Sequence, residues 1–160
     1  MSLIELKLDN PAATQRLGFL LARHLHAGDV VALAGDLGAG KSVLARAVIT
    51  CLCPDEDDIP SPTFTLVQTY EPPCGNTVMH FDLYRLEMPE EAFDLGIEDA
   101  FIDAICLIEW PQRLGPFLPR TALSIELSVA GEAADARNVS VAGGARWADL
   151  LADISKAFPQ

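Results

Sequence analysis

An α/β layered fold is what the sequence predicts, with a mostly parallel central sheet, helices on both faces and an antiparallel hairpin. Three observations predict it. Val30-Val31-Ala32-Leu33-Ala34 and Ala104-Ile105-Cys106-Leu107-Ile108 are continuous apolar runs, the mark of strands buried on both faces of a parallel sheet. Segments with helical start and stop signals are interleaved with the strands. The 160 residues, half of them hydrophobic and 21% charged, supply one core of ordinary domain size, so residues 1–160 read as a single domain.

The elements follow in order. Residues 3–8 alternate apolar and polar, as a short strand does. Asn10 before Pro11 is a helix cap with proline at the first helical position, and this helix is expected to run to residue 27, ahead of Gly28. The apolar strand at 30–34 leads into a glycine-rich loop and a helix over about 41–53. A loop at 54–62 is followed by a strand at 63–70, rich in β-branched and aromatic residues. Pro72-Pro73-Cys74-Gly75-Asn76 turns the chain into a returning strand at 78–82, which makes the hairpin. A short helix at 89–96 precedes the second apolar strand, which ends at Glu109. Strands at 123–129 and 138–142 close the sheet, and a helix at 145–158 ends the chain.

Composition excludes several classes. Wholesale disorder needs low hydrophobicity with high net charge, and 11 glycines and 11 prolines without a period are not collagen. No apolar run approaches the ~20 residues that cross a bilayer. Met1-Ser2-Leu3-Ile4-Glu5 lacks the basic head and apolar run of a signal peptide. Cys51, Cys53, Cys74 and Cys106 form neither a CxxC pair nor a zinc spacing, so reduced, mostly buried thiols in a cytoplasmic protein without membrane contact are expected.

The net charge of −12 is concentrated. Residues 1–50 hold five Lys/Arg against four Asp/Glu and residues 111–160 five against five, whereas residues 51–110 hold Arg85 against fourteen acids. Such a surface repels phosphate backbones, which disfavours autonomous nucleic-acid binding. It suits metal-binding carboxylates, an acidic face for a basic partner, or a solvated surface.

Gly35-Asp36-Leu37-Gly38-Ala39-Gly40-Lys41-Ser42 matches G-x-x-x-x-G-K-[ST], the phosphate-loop pattern. Glycines let main-chain N–H groups converge on phosphate oxygens, and the helix that follows adds the positive end of its dipole. Lys41 is then the group for the β- and γ-phosphates and Ser42 a Mg²⁺ ligand. A P-loop NTPase domain is the fold this implies. The Asn/Thr-Lys-x-Asp motif of guanine readers is absent, since Lys7, Lys41 and Lys156 follow Leu6, Gly40 and Ser155; ATP is favoured by elimination.

Hydrolysis needs an acid at the carboxyl end of a buried strand near the magnesium. Glu109 and Asp82 qualify. We assign Glu109 to the metal and Asp82 to the metal shell or the attacking water, with the reverse assignment open. Hydroxyls in Ser61-Pro62-Thr63-Phe64-Thr65 either sense a γ-phosphate, as switch loops do, or form a turn entering a strand. Arg85 neutralises transition-state charge or pairs with Glu87 or Glu90. Trp110 packs over the site or fills the core. His80 reads as a packed strand histidine, not a catalytic one.

The phosphate loop, Ser61-Pro62-Thr63-Phe64-Thr65-Leu66-Val67, His80-Phe81-Asp82-Leu83-Tyr84-Arg85-Leu86 and Ile108-Glu109-Trp110 together resemble, in order and spacing, the TsaE (YjeE) family over residues 5–142. The resemblance implies the bacterial ATPase of tRNA threonylcarbamoyladenosine biosynthesis, acting with TsaD and TsaB on adenosine 37 and meeting tRNA only through that complex. It implies ATP and Mg²⁺ as cofactors, a phosphate cradle of Asp36, Leu37, Gly38, Ala39, Gly40, Lys41, Ser42 and Val43, and Lys41, Asp82 and Thr65 as catalytic residues. Ser42, Glu109 and Asp82 would surround the metal, Asn10 and Pro11 hold the base, and Arg137 contact the nucleotide. The family usually has Thr at the Ser42 position and a second Thr near Val43. Ser42 keeps the hydroxyl, while Val43 removes one phosphate contact. Two other readings share the loop: a small-molecule kinase, which usually needs several arginines where this chain has only Arg85 between residues 47 and 112, and a nucleotide-gated scaffold without turnover.

Overall fold

The computed structural model describes residues 1–56, 58–60, 62, 65–73, 75–131 and 134–159. β1 (Ser2–Leu8) lies at one sheet edge and leads to α1 (Pro11–Arg23). Asn10 caps α1, its Oδ1 accepting from the Ala13 N–H at 2.9 Å, so one orphan donor of the first turn is satisfied. The helix stops four residues before the expected end. The Asp29 carboxylate takes the His26 N–H at 2.9 Å, and Gly28 turns the chain at φ +93°. β2 (Val30–Ala34) follows, and α2 (Lys41–Leu52) leaves the loop after it.

β3 (Val67–Tyr70) and β4 (Val78–Asp82) form the expected hairpin. Of the strand read at 63–70, β3 holds Val67–Tyr70; Leu66 at φ 67° departs from the extended run, and residues 63 and 64 lie outside the described residues. The short helix at 89–96 is a 3₁₀ helix, Pro89–Leu95. It runs through Gly96 into α3 (Ile97–Asp103), which sequence periodicity missed because only Ile97 and Ala100 of its seven residues are buried. β5 (Ile105–Glu109) is buried throughout. A further 3₁₀ segment, Pro111–Phe117, precedes β6 (Leu123–Val129) and β7 (Arg137–Gly143), and the last predicted helix divides into a 3₁₀ turn, Ala145–Trp147, and α4 (Ala148–Ala157).

The seven strands form one sheet in the order β1-β7-β6-β2-β5-β4-β3. The parallel core expected of the sheet is present, and the sheet as a whole is mixed. β6, β2, β5 and β4 run parallel, whereas β1–β7, β7–β6 and β4–β3 are antiparallel. Parallel neighbours need a crossover of a dozen or more residues, and the connections β3–β4 and β6–β7 are too short for one.

Helices cover both faces, as expected. Val31, Leu33, Ile105, Leu107 and Ile125 share a core with Leu17, Leu21, Leu44, Val48, Leu150 and Ile154 of α1, α2 and α4. Their strand neighbours Val30, Cys106, Ile108 and Phe81 share the other with Ala92, Ile97, Ala100 and Leu114. The period-2 alternation of side chains thus explains why β2, and β5 as far as Ile108, are apolar at every position. Cys53 and Cys106 are buried and Cys51 is exposed; burial pushes the Cys106 thiol up to about 12. No helix among the described residues is long and apolar enough to cross a membrane.

Candidate active site

The carboxyl ends of β2, β5 and β4 meet the amino end of α2, so the parallel core places the loop and both acids together. Gly35 bends the chain off β2 at φ +145°, and a Cβ there would stand 2.4 Å from the Leu127 carbonyl oxygen of β6. Gly40, at φ +107°, turns the loop into α2; neither position suits a residue with a side chain. The 12-residue helix α2 then directs its unpaired N–H groups at the loop.

Lys41 is buried and curls back over the loop. Its Nζ donates to the Gly35 carbonyl at 2.6 Å and the Asp36 carbonyl at 2.8 Å, and it lies 4.4 Å from the centre of the Trp110 ring. Burial lowers the Lys41 pKa below its ordinary 10.5, against the opposing pull of Glu109, Asp82 and Asp36. Ser42 Oγ donates to Glu109 at 2.9 Å to Oε1 and 3.1 Å to Oε2. His80 Nε2 stands 2.6 Å from Glu109 Oε2. Asp82 pairs in register with Glu109 on the neighbouring strand, and its Oδ1 accepts the Tyr84 N–H at 3.1 Å. Trp110 adopts φ 59° directly after Glu109, which swings its ring over Lys41 and to 4.8 Å from the Tyr84 ring.

These groups line a cavity of about 250 Å³ that gathers most of the expected residues: Leu37, Gly38, Gly40, Lys41, Ser42, Val43, Asp82, Glu109 and Arg137, with Tyr84 and Trp110 added. Asp36 and Ala39 contribute carbonyls beside it, to Lys41 and Arg137. The Arg137 guanidinium grips the loop and its own turn, donating to Ala39, Gly38, Ala134 and Ala136 carbonyls at 2.9, 3.3, 2.8 and 2.9 Å.

Three expected residues lie elsewhere. Asn10 serves as the helix cap. Pro11 lines a second depression between α1 and α2, which includes Val43 and so adjoins the first. Thr65 is exposed on the turn before β3 and accepts from Gln68 Nε2 at 2.9 Å. Ser61, Thr63 and Phe64 fall outside the described residues.

Sequence reasoning missed His80 and Tyr84 as site residues. Val78, His80 and Asp82 share a strand face by alternation, which was readable, but the register that sets His80 beside Glu109 was not. Trp110 takes the first of its two readings, packed over the site.

The donor set suits one kind of cation. Among the described residues no cluster of three or more His, Cys, Asp or Glu side chains is placed to hold a metal. A hydroxyl and a carboxylate in contact fit Mg²⁺, which takes one or two protein ligands with phosphate and water completing its octahedron.

Fold and site define a class: α/β proteins in which a central parallel strand passes through a Gly-x-x-x-x-Gly-Lys-Ser loop into a helix, with acids ending the next two strands on one side of it. The model of the Threonylcarbamoyl adenosine biosynthesis protein TsaE family matches residues 8–139, and the chain belongs to that family, which is involved in tRNA threonylcarbamoyladenosine biosynthesis. The TsaE protein of Rickettsia felis is 42% identical over 125 residues, 78% of this chain and 72% of that protein. The TsaE protein of Bacillus subtilis is 34% identical over 149 residues, 92% of this chain and 90% of its own. The crystal structure of Bacillus subtilis YdiB superposes with a TM-score of 0.77 at 29% identity, covering 98% of this chain and 96% of that one.

Proposed function

We propose that this chain is a Mg²⁺-dependent ATPase that hydrolyses ATP to ADP and phosphate to reset or activate the TsaB–TsaD complex. The observation that carries this reading is the contact of Ser42 Oγ with Glu109 at the foot of the loop, beside buried Lys41.

On this reading the main-chain amides of residues 38–43 hold the phosphate chain. Lys41 exchanges the Gly35 and Asp36 carbonyls for the β- and γ-phosphate oxygens and meets the charge that develops there. Ser42 and Glu109 hold the cation, which when bound supplies neutralisation of the phosphate charge. The Ser42–Glu109 contact supports Glu109 for the metal and Asp82 for the attacking water, whose oxygen bonds to the γ-phosphorus as the bond to ADP breaks. Thr65 faces the γ-phosphate when its turn closes. The depression at Pro11 and Val43 receives the base, with Asn10 fixing the helix behind it, and Arg137 holds the loop for the nucleotide. The exposed acids Glu87, Glu90, Glu91, Asp94, Glu98, Asp99 and Asp103 form the docking face for a basic surface of TsaB–TsaD, and tRNA is met only through that assembly.

Phosphate release measured with Mg²⁺ or with EDTA, with and without TsaB–TsaD, tests the reading. Release is expected to need Mg²⁺, to rise with the partners, and to fall about a hundredfold or more in Lys41→Ala. Undiminished release by that variant would remove the loop from the chemistry.

A further inference from the structure

Beneath the two acids sits a side chain that the proposed chemistry does not use. His80 is completely buried on β4, and its ring is bonded through Nε2 to Glu109 Oε2 at 2.6 Å. Nδ1 has no partner. An ionised carboxylate only accepts hydrogen bonds, so Nε2 carries the hydrogen and donates. A buried imidazole with one nitrogen unsatisfied is a poor way to fill space, because the bare polar atom costs desolvation that an apolar side chain avoids. Its register explains its presence. β4 and β5 run parallel with His80 opposite Leu107 and Asp82 opposite Glu109, so His80 reaches Glu109 diagonally from two residues earlier on the strand that carries Asp82.

We infer that His80 is a positioning residue: its N–H holds Oε2 of Glu109 and so fixes the orientation in which the carboxylate, with Oε1 the oxygen nearer to Ser42, would meet the cation. The inference rests on the Mg²⁺ ATPase reading. Ser42 Oγ reaches both oxygens, so without His80 the carboxylate keeps that one side-chain donor among the described residues and can pivot about it. Outer donors of this kind typically change metal affinity by about 10–100-fold.

The test loads the full chain with a non-hydrolysable ATP analogue and titrates Mn²⁺ by electron paramagnetic resonance. Analogue affinity in EDTA and the unfolding midpoint are measured on the same samples. His80→Leu is expected to weaken Mn²⁺ about tenfold or more while leaving metal-free analogue affinity within about twofold. His80→Gln, whose side-chain amide can present an N–H to Oε2, is expected to recover most of the loss. His80→Asn is too short to reach, carries the leucine variant's expectation and replaces it should that protein not fold. Wild-type Mn²⁺ affinity in a folded His80→Leu or His80→Asn would overturn the inference, as would equal loss of metal and metal-free analogue binding. A wild-type chain that holds Mn²⁺ no better with the analogue than without it would overturn the ATPase reading and this one with it.

Discussion

Lys41 shows what burying a charged group costs a protein. Its ammonium is buried against Trp110 and carries two carbonyl partners, yet burial still lowers its pKa. Between that lowered value and 10.5 the unfolded chain binds the proton more tightly than the folded one, so this group's penalty on folding fades as pH rises through the interval. Lys41→Met is therefore expected to melt higher than wild type at neutral pH, with the gap narrowing as pH approaches 10.5; a gap that widens would contradict the burial cost. At this scale legibility was uneven. Glycine, lysine and serine at fixed spacing announce a phosphate loop because main-chain geometry demands them, and Glu109 and Asp82 were visible as acids ending apolar runs. Which of the two touches Ser42 depends on strand order and side-chain reach, and no spacing encodes that. His80 was read as packing because one histidine in a strand carries no pattern of its own.

At the scale of elements, the cap and the crossing of α1 over α2 do most to hold the loop's helix in place. Asn10→Ala removes the bond to the Ala13 N–H and is expected to cost about 1 kcal/mol of stability in urea unfolding. Gly18 marks where α1 crosses α2, since a Cβ there would stand 2.4 Å from Ala47 Cβ. Uniformly apolar strands were legible because burial on both faces leaves no polar position. The boundaries of α1 and β3 were not, because each is cut by one local event: the Asp29 carboxylate drawing off the His26 amide, and Leu66 entering the left-handed region. α3 escaped because two buried residues in a single stretch of seven give too little periodicity to detect.

Over the whole molecule the charge and the sheet are both asymmetric. The acids of residues 90–103 are exposed on the 3₁₀ segment and α3, with Glu87 exposed just ahead of them, and helix α3 packs on the face opposite α1, α2 and α4. If this face meets a basic partner surface, affinity for TsaB–TsaD is expected to fall about tenfold or more as salt rises from about 0.05 M to about 0.5 M; a salt-insensitive titration would count against it. The antiparallel flank was legible as a closing pair of strands, but its pairing with the amino-terminal strand joins chain ends that no local signal connects.

That flank has a consequence for how the protein comes into being. Gly38 and Ala39 are gripped by Arg137, and the wall against Gly35 is Leu127; both lie far downstream. A ribosome thus emits the signature loop before the parts that shape it. The cradle is completed only once those strands have followed, and a chain cut short before β6 and β7 bears the right letters without the form that gives them use.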